Sequence, residues 1–286
     1  MTLSTTFLGT STVHVTDGAS AVLVDGYFSR PALLKDDELD LTLELRPDDA
    51  KIDAALARAG IDRLDLVVVS HTHLDHAMDS PLVARKTGAR LLGTASARMI
   101  AQGYAESGLD VDLPSFALAE PGSAVRAGSF TVTPLAAIHS NGDRIPGEIT
   151  EPLHLPAGVA DYRTGGCLDI LIAHDDGTVL VHPTANFIPG ALAGISADVL
   201  YLGAGAAGNE TAEWREAYWG ETVRTVGAKS VRLVHWERFW DPIDAPPRPL
   251  PPPFDDFATT LAQFQGLAAE DGVDLAPAEV WLREEL

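Results

Sequence analysis

The sequence predicts a single α/β domain over residues 1–286, with helices covering the faces of β-sheets. Three observations carry this expectation. Short apolar runs closed by turn residues recur along the chain, and segments with apolar residues at helical spacing lie between them. The composition, 46% apolar and 21% charged, is that of a chain able to bury a substantial core.

Taken in order, Thr6-Phe7-Leu8 predicts a strand, Gly9-Thr10-Ser11-Thr12 a turn, and Val13-His14-Val15 the returning strand. After a turn at Asp17-Gly18, Ala21-Val22-Leu23-Val24 forms the next strand and Asp25-Gly26 ends it. Arg46 to Gly60 predicts a helix, because Ile52, Ala55, Leu56 and Ala59 share one face and Gly60 supplies a stop. Leu64 to Val69 is nearly all apolar and ends at Ser70, as a central strand buried on both faces does. A helix follows over Ser80 to Thr87. Phe130 to Pro134 leads into Ala136-Ala137-Ile138 as strand, and Cys167 to Ala173 pairs through Asp175-Asp176-Gly177 with Val179-Leu180-Val181 as a hairpin. Then come the strand Asp198 to Leu202, a helix over Glu213 to Val226, the strand Ser230 to Val234 and a helix over Phe254 to Glu270. Two stretches break the regularity. Asp143 to Pro156 is a polar loop, and Asp241 to Pro253 holds seven prolines, which stiffen it and exclude a helix. Whether that second stretch forms a rim or lid, or a plain surface loop, is open at this point.

The formal net charge of −21, from 41 acidic and 20 basic residues, opposes binding to phosphate backbones, which requires clustered Lys and Arg. It favours a small-molecule partner over a nucleic acid. No apolar run reaches the length of a membrane span, and the start Met1-Thr2-Leu3-Ser4-Thr5 lacks a basic segment followed by an apolar one. A cytoplasmic location is the corresponding expectation. The one cysteine, Cys167, reads as a packed strand residue rather than a nucleophile.

The chemistry-bearing segment is His71-Thr72-His73-Leu74-Asp75-His76, which directly follows the buried strand. The chain has nine histidines, so three within six positions is a concentration that a solvated loop does not explain. Imidazole and carboxylate are the ligands zinc takes where cysteine is absent. In an extended segment alternate side chains share a face, so His71 and His73 can grip one metal. The chain then turns, and Asp75 and His76 can face a second metal beside it.

This cluster resembles the His-x-His-x-Asp-His signature of the metallo-β-lactamase superfamily. The resemblance implies a four-layer αββα sandwich with the metal site at one edge of the two sheets. It further implies that His71, His73 and His139 hold a first metal, His139 following the strand Ala136-Ala137-Ile138. Asp75, His76 and His235, which closes the strand ending at Val234, would hold a second. Asp25 matches the family's aspartate after the early strand, which would support the metal loop from behind; a plain turn aspartate before Gly26 is the other reading. Phe7-Leu8-Gly9-Thr10 and Val24-Asp25-Gly26-Tyr27-Phe28 are similar to the start of the less specialised hydrolase branch that includes ascorbate-phosphate lactonase-like proteins.

One position departs from the family. The bridging aspartate expected after Val179-Leu180-Val181 is missing from His182-Pro183-Thr184-Ala185-Asn186, where Thr184 takes its place. His182 then has two readings, a compensating metal ligand or a strand-end residue capping the turn. The function implied is hydrolysis of a small-molecule ester, lactone, amide or phosphoester by a metal-bound hydroxide, with Asp75 orienting the water or accepting its proton. The metal would be one or two Zn²⁺ ions, with Mn²⁺ or Fe²⁺ as alternatives. Tyr162, Arg163 and Gly165-Gly166 are candidates to line the pocket, Arg163 by holding an anionic group. The competing functions are a mononuclear iron dioxygenase of the same fold and a catalytically weak binding protein.

Overall fold

The computed structural model describes residues 2–286. Strand periodicity explains its layers, because successive side chains of a strand go to opposite faces. Val22 and Val24 face inward, as do Leu66 and Val68, whereas Leu23 and Val67 point the other way. The same alternation in the second half sends Ile170, Ile172, Val179, Val181 and Tyr201 inward and Leu180, Leu200 and Leu202 outward.

Two seven-stranded sheets result. The first runs in the order Arg283–Glu285, Ser4–Phe7, Val13–Thr16, Ala21–Val24, Leu66–Val68, Arg90–Gly93, Ala117–Leu118. The second runs Val125–Ala127, Phe130–Ala137, Cys167–His174, Gly177–His182, Val199–Gly203, Ser230–Val234, Asp274–Pro277. Their inward faces make one core between the sheets. On the far side of the first sheet, Ile52, Leu56, Leu82, Ile100 and Tyr104 bring in the helices Asp49–Ala59, Ser80–Thr87 and Ala95–Glu106. On the far side of the second, Trp219, Val223 and Phe264 do the same from Ala212–Trp219, the turn after it and Phe257–Asp271. The architecture is an α/β sandwich of four layers, helix, sheet, sheet, helix. No helix among the described residues is long and apolar enough to cross a membrane.

Several expected boundaries move. The first helix begins at Asp49, because the Asp48 carboxylate accepts from the amides of Ala50 and Lys51, and ends at Gly60 with φ 66°. The last begins at Phe257, capped by Asp256. The helix expected to reach Val226 does so, starting at Ala212 and widening into a π-turn over Gly220–Arg224 on the way. The hairpin expected from Cys167 onward is present, with Ile170 opposite Val181.

Strand direction places the site. Ala21–Val24, Leu66–Val68 and Arg90–Gly93 are parallel neighbours, as are Gly177–His182, Val199–Gly203 and Ser230–Val234. Parallel strands deliver their following loops to one edge, and ligand sites of open α/β sheets form there. Asp25, Ser70-His71, Thr184, Gly205 and His235 all lie just past the carboxyl ends of such strands.

Candidate metal centre

At that edge the structure brings six side chains into two groups. His71, His73 and His139 form one, and Asp75, His76 and His235 the other, with the potential ligand atoms of each group within 4.8 Å of one another. The groups adjoin, since the His71 and His76 ring centroids are 3.7 Å apart. His71 follows the strand Leu66–Val68 by way of Ser70, and the amide of Thr72 donates to Thr164 O at 2.8 Å. The chain then enters a single helical turn, Leu74–Ala77, which carries Asp75 and His76 round to the second group.

Four of the five imidazoles have one nitrogen facing a protein oxygen outside the two groups, whereas His235 Nε2 faces Asp75 Oδ2 at 3.1 Å and its Nδ1 is buried and unpartnered. His76 Nδ1 lies 2.7 Å from Asp25 Oδ2, while its Nε2 is buried without a hydrogen-bond partner. His71 Nε2 is likewise buried and unpartnered. His73 Nε2 sits 3.2 Å from Thr164 Oγ1 and 3.3 Å from Asp143 Oδ1, which leaves Nδ1 toward its group. His139 Nδ1 lies 3.0 Å from Ser140 O, leaving Nε2. Buried polar atoms are normally satisfied, so two unpartnered nitrogens converging with carboxylate and further imidazoles fit a divalent cation. The donor set, five histidines and one aspartate, is the chemistry such an ion takes.

The protonation states of His71, His139 and Asp75 agree with that fit, whereas His235, lowered by burial, is raised more by the Asp75 carboxylate. Burial, and then the neighbouring His76 and His73, hold His71 well below the ordinary histidine range. Burial, with His73 next, brings His139 down to about 4. Burial pushes the Asp75 carboxyl up, but His76 and His235 outweigh it and keep it well below the usual carboxylate range. Neutral imidazoles beside an ionised carboxylate are the ligand forms.

Asp25 is more than a turn residue. It adopts a left-handed φ of 47° and accepts from Ser70 N at 2.7 Å, Ser70 Oγ at 2.8 Å and Ser11 Oγ at 2.6 Å, besides holding His76. His235, also left-handed at φ 57°, is fixed by its amide, which donates to Thr10 O at 2.6 Å. Glu237 accepts from the amide of the same Thr10 at 2.6 Å and pairs with Arg30 at 2.8 Å, both side chains fully buried. Gly205 lies directly against this histidine; a Cβ there would stand 2.6 Å from His235 O.

His182 does not join either group, which corrects the compensating-ligand reading. It has the strand parity of Leu180, so it faces the helix side rather than the site. There its Nδ1 lies 2.7 Å from Asp169 Oδ1 and its Nε2 2.7 Å from Asn186 O. Thr184 does reach the site, and its Oγ1 accepts from the amide of Ser140 at 2.8 Å. The cavity over the two groups has a volume of about 310 Å³, and among the described residues its only lining carboxylates are Asp75 and Asp143. Asp143 is already engaged by His73 and Thr164, so no carboxylate bridges the two groups.

The predicted pocket residues are also displaced. Tyr162 is fully buried, its hydroxyl 2.6 Å from that of Tyr104, and Arg163, Gly165 and Gly166 do not line the cavity. Gly165, at φ 64°, packs under the metal loop, where a Cβ would meet Thr72 Oγ1. Cys167 is buried and its thiol pushed up by that burial, so it is no nucleophile. What lines the cavity instead is the loop Ser140 to Ile145, together with Leu250 and Pro253 of the proline-rich stretch and Phe239 and Phe254, which flank it, so that this stretch forms a rim. Asp143 and Arg144 begin the polar, proline-containing loop, and that loop is the signal the sequence carries for them.

Comparison with known proteins agrees with this geometry. The profile of the Metallo-beta-lactamase superfamily matches residues 5–182. A metal-dependent hydrolase of Anaeromyxobacter sp. (strain K) is 33% identical over 108 residues, 37% of this chain and 38% of that protein. The matched stretch thus spans little more than a third of that relative. Among solved structures, Igni18, a metallo hydrolase from the archaeon Ignicoccus hospitalis, aligns over 100% of this chain and 99% of its own with a TM-score of 0.60 at 16% identity. CmlA, a diiron β-hydroxylase from Streptomyces venezuelae, aligns over 100% of this chain and 53% of its own with a TM-score of 0.56 at 17% identity. These likenesses show the fold. With the profile match covering more than half of its length, the chain belongs to the metallo-β-lactamase superfamily.

Proposed function

We propose that this chain, acting as one domain, is a metal-dependent hydrolase of a small-molecule ester, lactone, amide or phosphoester. The observation that carries the reading is the pair of three-residue groups opening into one cavity, with buried, unpartnered nitrogens on His71 and His76. His71, His73 and His139 would hold a first divalent ion, zinc being the one the imidazole-rich set suits best, and Asp75, His76 and His235 a second. Such an ion supplies an acidified water and a Lewis acid for the developing oxyanion. With no bridging carboxylate at Thr184, the second ion is held less tightly than the first.

The protein's own groups do the rest. Asp75 Oδ2 is held 3.1 Å from His235 Nε2, which leaves Oδ1 to orient a water and take its proton. Asn141, Thr184 and Asn209 line the polar side of the cavity and can orient a substrate. Leu39, Leu74, Val159, Phe239 and Leu250 wall the other side and exclude water there.

The test is to strip the protein with a chelator, reload it with zinc, manganese or ferrous ion in parallel, and assay an ester, lactone and phosphodiester panel. Hydrolysis lost on stripping and restored on reloading supports the reading. Oxygen uptake by the iron-loaded protein with no hydrolysis in any arm overturns it.

A further inference from the structure

Within the cavity one cation stands out. Among the described residues Arg144 is the only Lys or Arg that lines it, in a chain with 20 basic residues against 41 acidic ones. The guanidinium makes no ion pair and no hydrogen bond among the described residues, and its Cζ lies 4.9 Å from the centroid of the Phe254 ring. That stacking joins the two walls, the loop Ser140 to Ile145 and the proline-rich rim. It also holds the planar group in place while leaving its edge N–H donors free. The adjacent Asp143 makes no ion pair with it; that carboxylate instead faces His73, Thr164 and the amide of Ile145. The other titratable groups of the cavity are His73, Asp75, His139 and His235, all within the two metal-ligating groups. The remaining lining is largely apolar, with Leu39, Val159, Phe239 and Leu250 around it.

From this arrangement we infer that the substrate is a small amphipathic anion: an ester or phosphoester with an apolar body and one further negative charge, away from the scissile bond, received by Arg144. The inference rests on the hydrolase reading and specifies it. A volume of about 310 Å³ suits one ring or a short chain plus the reacting group. An oxyanion in the plane of the guanidinium takes two N–H donors at once, a match that a neutral group of the same shape does not make. In the reaction the water oxygen bonds to the acyl carbon, the acyl–oxygen bond breaks, and the leaving oxygen takes a proton.

The test uses two substrates of nearly equal shape, 4-carboxyphenyl butyrate and 4-carbamoylphenyl butyrate, which differ by a carboxylate against a carboxamide. Both are assayed on the zinc-loaded full chain, beside bis(4-nitrophenyl) phosphate. The wild type should prefer the carboxylate ester in kcat/KM by about tenfold, the size of a charge-assisted contact in a half-open cleft. Added salt should erode that preference. Arg144→Gln should abolish it, chiefly through a higher KM for the carboxylate ester, and Arg144→Lys should retain part of it. Turnover of the phosphodiester alone, whose one charge sits on the scissile phosphate itself, also overturns the inference and leaves the hydrolase reading standing. Equal use of both esters by the wild type, or a preference that survives in Arg144→Gln, overturns the inference and leaves the hydrolase reading standing. No turnover of any of the three overturns that reading, and this inference with it.

Discussion

Replacing Asp25 with asparagine changes one atom, and the structure makes its consequence specific. The two carboxylate oxygens of Asp25 meet four groups: Ser70 N at 2.7 Å, Ser70 Oγ at 2.8 Å, Ser11 Oγ at 2.6 Å and His76 Nδ1 at 2.7 Å. A carboxylate only accepts, so it fixes the proton of His76 on Nδ1 and leaves the lone pair on Nε2, the buried unpartnered atom of the second group. The asparagine of Asp25→Asn would keep its oxygen on Ser70 N and turn its amide donor toward His76. Nδ1 then becomes the acceptor and the proton moves to Nε2, which cannot ligate in that form. Loss of such an orienting partner costs about 10–100-fold in metal affinity, or about 1.4–2.7 kcal/mol. Asparagine tolerates the left-handed φ of 47°, so the backbone is spared. Zinc competition against a chromophoric chelator reads the two sites as separate steps. The weaker step should move by that factor, and the step of His71, His73 and His139 should stay within about threefold. Two unchanged steps, or a shift confined to the tighter one, would refute the tautomer argument.

Three further outcomes follow from the same contacts. Glu237→Ala leaves Arg30 charged and buried without its partner, and urea unfolding of the metal-free protein should show a loss of about 3–5 kcal/mol, where a loss under about 1 kcal/mol would contradict the clamp on His235. Thr184→Asp places a carboxylate where the hydroxyl now bonds Ser140, and should tighten the second zinc step at least about tenfold in the same competition assay. His182 is lowered by burial but raised more by Asp169, so its folded pKa lies above the ordinary 6.5. Its stabilising share is complete below about 6.5 and is lost as pH rises through the higher folded value, so the stability gap between wild type and His182→Gln should narrow with rising pH, with metal content unchanged throughout.

The sequence makes the metal edge legible because its residues sit where strand ends must put them. His71 to His76 follows an unmistakable buried strand, and His139 and His235 close strands whose apolar runs are equally plain. The fate of His182 was readable in principle from parity, since Val179 and Val181 face inward and Leu180 and His182 therefore face outward. What parity does not reveal is the partner: Asp169 lies one step past the Ile170–Val181 pairing on the neighbouring strand, and only the register puts it opposite. Arg144 and Arg163 look alike in sequence, each in a loop near glycine. Which one lines the cavity depends on how the loop from Ser140 meets Phe254, a contact between residues more than a hundred positions apart. The helix Ala95–Glu106 and the strand Arg283–Glu285 gave weak signals for opposite reasons. The helix carries Gly103 where Leu153 packs against its backbone, and the strand is a short, charged edge that pairs only with Ser4–Phe7.

The claim on which everything here depends is that two adjoining groups of this chain each hold a divalent ion. Zinc titration of the stripped protein, with bound metal counted by elemental analysis, tests it most directly. The account predicts saturation at two equivalents per chain, falling to one in His139→Ala and to one in His235→Ala, and remaining at two in His182→Ala. Saturation at one equivalent or less in the wild type, or loss of an ion only in His182→Ala, would contradict it.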